Sequence, residues 1–82
     1  MIRIIKIIVL LLLINGASHA QESEVLFTQG EEYFLQGRFA DAYFSYSKYI
    51  EYNPDSAKGY ISRGNTYIFL NKVKDALADF EK

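Results

Sequence analysis

Gly30, Tyr33, Asp41, Ala42 and Lys48 are each matched 34 residues later by an identical residue, at Gly64, Tyr67, Asp75, Ala76 and Lys82. Other positions keep their apolar character without keeping identity: Phe27/Ile61, Phe34/Ile68, Leu35/Phe69, Phe39/Val73 and Tyr46/Phe80. A fixed period of about 34 residues is the length of one helix–turn–helix unit, which cannot bury its apolar face alone and stacks on its neighbours. The period therefore predicts an all-α chain of antiparallel hairpins stacked as an α-solenoid. The first unit is expected from 23 to 56 and a second, incomplete one from 57 to 82, after a short linker at 21–22.

The preceding residues have a different composition. Arg3 and Lys6 lead into the apolar run Ile7 to Ile14, which breaks at Asn15-Gly16 before Ala17-Ser18-His19-Ala20. Basic, apolar and small-residue regions in that order predict a secretory signal peptide over 1–20, cleaved before Gln21. The run is well short of the roughly 20 apolar residues that span a bilayer core, so cleavage with no membrane insertion afterwards is expected, with an uncleaved segment kept as a membrane tether as the alternative. The expected destination is exported, periplasmic or secreted, with a bacterial envelope favoured because no Asn-x-Ser/Thr acceptor is present. The sequence has no cysteine, so stability must come from packing rather than disulfides. Setting aside Arg3 and Lys6 leaves seven bases against ten acids, a formal charge of −3 that argues against a nucleic-acid partner.

Within the first unit, Leu26, Phe27, Phe34 and Leu35 follow no alternation and predict a helix from Glu22 to Gln36, stopped at Gly37. Gly37 and its partner Asn71 are the residue types that enter the left-handed conformation most cheaply, so both first helices are predicted to end on the same C-terminal cap. Phe39, Ala42, Tyr43, Tyr46, Tyr49 and Ile50 recur at intervals of three and four, the stripe of an amphipathic helix over Phe39 to Tyr52. Asp41, Ser45, Ser47, Lys48 and Glu51 are expected on its polar face, and Phe44 and Tyr52 lie off the stripe. Pro54 disfavours helical geometry at Asn53, and Asp55 or Ser56 can cap the next helix. Ala57 to Leu70 and Val73 to Lys82 then repeat the pattern.

Leu26-x-x-Gln29-Gly30-x-x-Tyr33, then Ala42-x-x-x-Tyr46 and Pro54, resembles the tetratricopeptide repeat. Tyr60-x-x-Arg63-Gly64-x-x-Tyr67 with Ala76-x-x-x-Phe80 resembles it again. Gly30, Gly64, Ala42 and Ala76 lack bulk where the helices of a hairpin cross, and Tyr33, Tyr67, Tyr46 and Phe80 fill the surrounding space. Gln29 and Arg63 depart from the leucine common in the family. Tyr49 departs from a small residue, which implies looser or shifted packing between the hairpins. The resemblance implies a protein–protein interaction adaptor that holds a peptide or protein segment on a concave face lined by first helices. That face would present Phe27, Glu31, Phe34, Ile61, Asn65 and Ile68. Of the lysine and asparagines with which some members grip a terminal carboxylate, only Asn65 is matched, since Phe27 stands in place of the lysine.

Catalytic alternatives find little material. His19, the only histidine, lies in the predicted signal peptide, which removes the usual metal ligand and general base from the mature segment. Glu31 and Glu32 are adjacent and diverge by about 100° on a helix, so they cannot act as paired acid and base on one bond. Asp75 and Asp79, one turn apart among Lys72, Lys74 and Lys82, are expected to form an ordinary charged helix face. The scattered glycines include no phosphate-cradling loop. No catalytic residue, cofactor or metal is expected. Because a stable stack needs about three repeats, further repeats are expected beyond Lys82. The rival expectation is an enzyme domain beyond Lys82, with these hairpins as its docking module.

Overall fold

The computed structural model describes residues 18–82, with side chains from residue 21; the predicted signal peptide lies outside the described residues, apart from the backbone of Ser18 to Ala20. The described residues form four helices and no strand: α1 (Ser18–Leu35), α2 (Phe39–Tyr52), α3 (Ala57–Phe69) and α4 (Val73–Phe80). Consecutive helices pack on one another, α1 on α2, α2 on α3 and α3 on α4, which gives the expected all-α stack of two hairpins. None of these helices is long and apolar enough to cross a membrane. Helix α1 begins before the expected Glu22, because Ser18 to Gln21 contains no residue that breaks a helix.

Both first helices stop by the same device. Gly37 and Asn71 adopt positive φ, 76° and 60°. Arg38 N–H then donates to Tyr33 C=O at 2.8 Å and Gly37 N–H to Phe34 C=O at 3.0 Å. Thirty-four residues on, Lys72 N–H donates to Tyr67 C=O at 2.8 Å and Asn71 N–H to Ile68 C=O at 3.1 Å. This pair of bonds is the Schellman arrangement, and it satisfies carbonyls that a helix end leaves open. Between the hairpins, Asn53 leaves helical geometry ahead of Pro54 (φ −135°, ψ 69°), and its side chain donates to Tyr49 C=O. Ser56 accepts a bond from Gly59 N–H at 3.3 Å and so caps the start of α3.

The core follows from small residues meeting rings. Ala42 and Ala76 are almost completely buried, and a Cβ added at Gly30 would lie 2.6 Å from the Tyr46 ring. The same addition at Gly64 would lie 2.5 Å from the Phe80 ring, so each hairpin crosses over a glycine that admits one aromatic ring. Tyr49 is buried rather than loosely packed, because Gly59 on α3 supplies the missing space: a Cβ there would come within 3.0 Å of the Tyr49 ring. Tyr49 also meets Ser56, whose hydroxyl donates to the Tyr49 hydroxyl at 3.3 Å. As expected from the stripe, Phe44 and Tyr52 are exposed.

Two polar residues sit where the sequence did not put them. Ser45 and Asp79 occupy the same repeat position and are both buried, although they were expected on solvated faces. Asp79 is not part of an ordinary charged surface. Its two oxygens accept from Arg63 Nε at 2.7 Å and Nη2 at 2.8 Å, while Arg63 Nη1 donates to Ser47 Oγ at 3.3 Å. Arg63 stands where the resemblance leads one to expect leucine, and the forked pair explains the departure: the guanidinium fills the space and satisfies the buried carboxylate. That hydrogen bond to Asp79, ahead of the partial burial that opposes it, holds the Arg63 pKa above its usual value.

Candidate partner-binding groove

Helices α1 and α3 are the first helices of the two hairpins, and Tyr46 of α2 lies between them at the base. Glu31, Phe34, Leu35, Tyr46, Ser62 and Asn65 surround an open cleft of about 200 Å³. Three of the six residues expected on the concave face are therefore brought together: Glu31, Phe34 and Asn65. Glu31 and Asn65 are equivalents at the 34-residue offset, so the stack sets the same repeat position on both sides of one cleft.

The other three do not line it. Phe27 is drawn inward, its ring 5.6 Å from Tyr46 and 5.1 Å from Tyr49 between centroids. Lys58 Nζ lies 4.4 Å from the Phe27 ring centroid and pairs with Glu24 at 3.4 Å. Glu24 and Lys58 are again repeat equivalents, so this exposed bridge joins α1 to α3 along the rim, although such a pair contributes little stability. Ile61 and Ile68 are half exposed on the surface of α3. Phe34 is pinned at the other end of the groove, edge-on to Phe39 and to Phe69 at 5.3 Å, while Phe39 and Phe69 stack at 4.6 Å.

Leu35 and Ser62 were missed by sequence reasoning. Leu35 is 85% exposed, an unusual state for a leucine in the last turn of a packed helix. The signal was available: Leu35 pairs with Phe69 at the repeat offset, directly beside Phe34/Ile68. Ser62 is polar and gives no periodic signal, yet it lines the cleft together with Tyr46. Burial raises the Tyr46 pKa and the negative charge of Glu31 raises it further, while Ser62 pulls the other way. The phenol at the base of the cleft therefore stays neutral beside a carboxylate. Tyr67, remote from the cleft lining, is pushed up to about 12, first by burial and then by its hydrogen bond with Tyr43.

A second hollow of about 340 Å³, lined by Pro54, Asp55, Ala57, Tyr60 and Lys82, contains none of the six expected residues. There the Tyr60 hydroxyl donates to Pro54 C=O at 3.0 Å, a bond that ties α3 to the loop before it. Among the described residues, no group of three or more acidic or histidine side chains is placed to hold a metal ion. What the α1/α3 cleft can do chemically is seat apolar side chains against Phe34 and Leu35 and offer a carboxylate and an amide beside them.

A curated relative, the DnaJ homolog subfamily C member 7 homolog of Schizosaccharomyces pombe, is 36% identical over 55 residues. The alignment covers 62% of this chain and 12% of that protein, so the chain matches only a small part of the relative. No solved structure matches the chain significantly. Residues 23–56, which contain α2 and most of α1, match the family model of the tetratricopeptide repeat.

Proposed function

We propose that residues 23–82 are two stacked tetratricopeptide hairpins forming a non-catalytic adaptor, and that a peptide or protein segment docks in the groove between α1 and α3. The observation that carries this is the exposed apolar lining of that groove, Leu35 with the edge of Phe34. Buried apolar anchors beside a few polar groups are how helical grooves hold a segment. The family match over residues 23–56 supports the same use, because such repeats mediate protein–protein contacts.

Selection of a random peptide display library on the whole chain tests it. Peptides are expected to enrich, and their binding is expected to fall at least tenfold in Leu35→Gln, a substitution at a side chain too exposed to affect folding. Enriched peptides that bind Leu35→Gln as well as the parent would place the partner surface elsewhere. The adaptor acts in an exported compartment on the strength of the Arg3, Lys6 and Ile7–Ile14 pattern. Mass spectrometry of exported protein tests this, with a mature N-terminus at Gln21 as the expected result and an intact Met1 as the contrary one.

A further inference from the structure

We infer that the groove between α1 and α3 selects a basic segment, one in which Lys or Arg stands beside an apolar residue; this rests on the docking reading of the same groove. Four ion pairs occur among the described residues, and they engage Glu24 with Lys58, Asp41 with Arg38, Glu51 with Lys48 and Asp79 with Arg63. Glu31 enters none of them. It is exposed, lies on the lining of the cleft, and is the one carboxylate there.

Lys58 on α3 does not neutralise it. That ammonium is held instead between the carboxylate of Glu24 and the rings of Phe27 and Tyr49. No lysine or arginine lines the cleft. The remaining lining is Phe34 and Leu35, which offer apolar surface, and Tyr46, Ser62 and Asn65, which carry no charge. Opposite Glu31, Asn65 supplies an amide oxygen that can accept a second bond from the same cation. An acidic ligand would meet an unpaired carboxylate of its own sign in a cleft with no counter-charge, an arrangement that rejects partners as effectively as complementary charge attracts them. The formal charge of −3 on residues 21–82 adds long-range attraction for a basic partner.

The peptides enriched on the whole chain from the random display library supply the test. They are expected to carry Lys or Arg next to a large apolar residue, and Glu31→Gln is expected to weaken them by roughly fivefold, the scale of a partly solvated ion pair. Repeating the selection on Glu31→Lys is expected to enrich Asp or Glu at the same place. Because Glu31 is exposed and unpaired, neither variant disturbs the packing. Leu35-dependent peptides that are acidic or uncharged, or that bind Glu31→Gln as tightly as the parent, would overturn the inference while leaving the docking groove standing. Peptides that bind without dependence on Leu35 would remove both.

Discussion

Tyr46 and Phe80 occupy the same place in the two hairpins, each ring filling the space over a glycine, yet Tyr46 is 3% exposed and Phe80 42%. Val73 and Leu77, the equivalents of the better covered Phe39 and Tyr43, are likewise more than half exposed. The cause is the neighbour. Helix α3 lies against α2 and covers its stripe, whereas no described helix lies against α4 in that way. In a stacked repeat the apolar stripe is written into every unit, but its burial belongs to the interface with the next one. The conserved register thus says which residues face a neighbour, and the position in the stack says how much each contributes.

The largest expected difference between the hairpins lies at those two rings. Tyr46→Ala is predicted to cost about 4 kcal/mol, enough to unfold a segment of this size, while Phe80→Ala costs about 1 kcal/mol. Denaturant melts of the two variants check this, and equal losses would break the comparison. Next comes the polar position that the two units fill differently. Asp79→Ala strands a mostly buried guanidinium and is predicted to cost about 2 kcal/mol, whereas Ser45→Ala stays within about 1 kcal/mol. If the replacement of Arg63 by Met together with Asp79 by Leu proved as damaging as Asp79→Ala alone, the forked pair would not be the reason.

A smaller contrast is expected at the helix crossings. Alanine is a better helix former than glycine by about 1 kcal/mol, so a gain would follow if space allowed. At Gly30 the added methyl meets the enclosed Tyr46 ring and a net loss of about 1 kcal/mol is predicted; at Gly64 the exposed Phe80 ring can swing aside and the change is near zero. Circular dichroism melts of the two variants would show the difference directly. The smallest effect is alkaline. Tyr46 and Tyr67 titrate above the ordinary value of 10.0, Tyr67 at about 12, so the folded state holds protons that the unfolded chain releases. Stability is therefore complete below pH 10 and declines as pH rises toward 12, and Tyr67→Phe should flatten that decline.

Much of this architecture could be read from the residues. Helix α2 spans Phe39 to Tyr52 as its stripe predicts, and Gly37 and Asn71 close α1 and α3 in the left-handed conformation because few other residue types do so cheaply. Glu31, Phe34 and Asn65 reached the groove because the repeat offset fixes which face of a first helix they occupy. The misplaced residues share a physical cause. Asp79 and Ser45 are polar, and polarity along one helix signals solvent unless a partner on another helix is known; for Asp79 that partner is Arg63, 16 residues away. Leu35 was passed over because its apolar side chain suggests core, whereas the left-handed turn two residues later leaves it facing the cleft.

One side of the stack is proposed as the partner surface and the other is not. Exposed aromatic or aliphatic residues occur both at the groove, in Leu35, and on α2, in Phe44 and Tyr52. Titrating a library-selected peptide into the isotopically labelled whole chain, and following amide and methyl shifts, separates them. Shifts concentrated at Glu31, Phe34, Leu35, Ser62 and Asn65, with Phe44 and Tyr52 unmoved, are the predicted result. Shifts centred on Phe44 and Tyr52 with the groove silent would contradict the central claim.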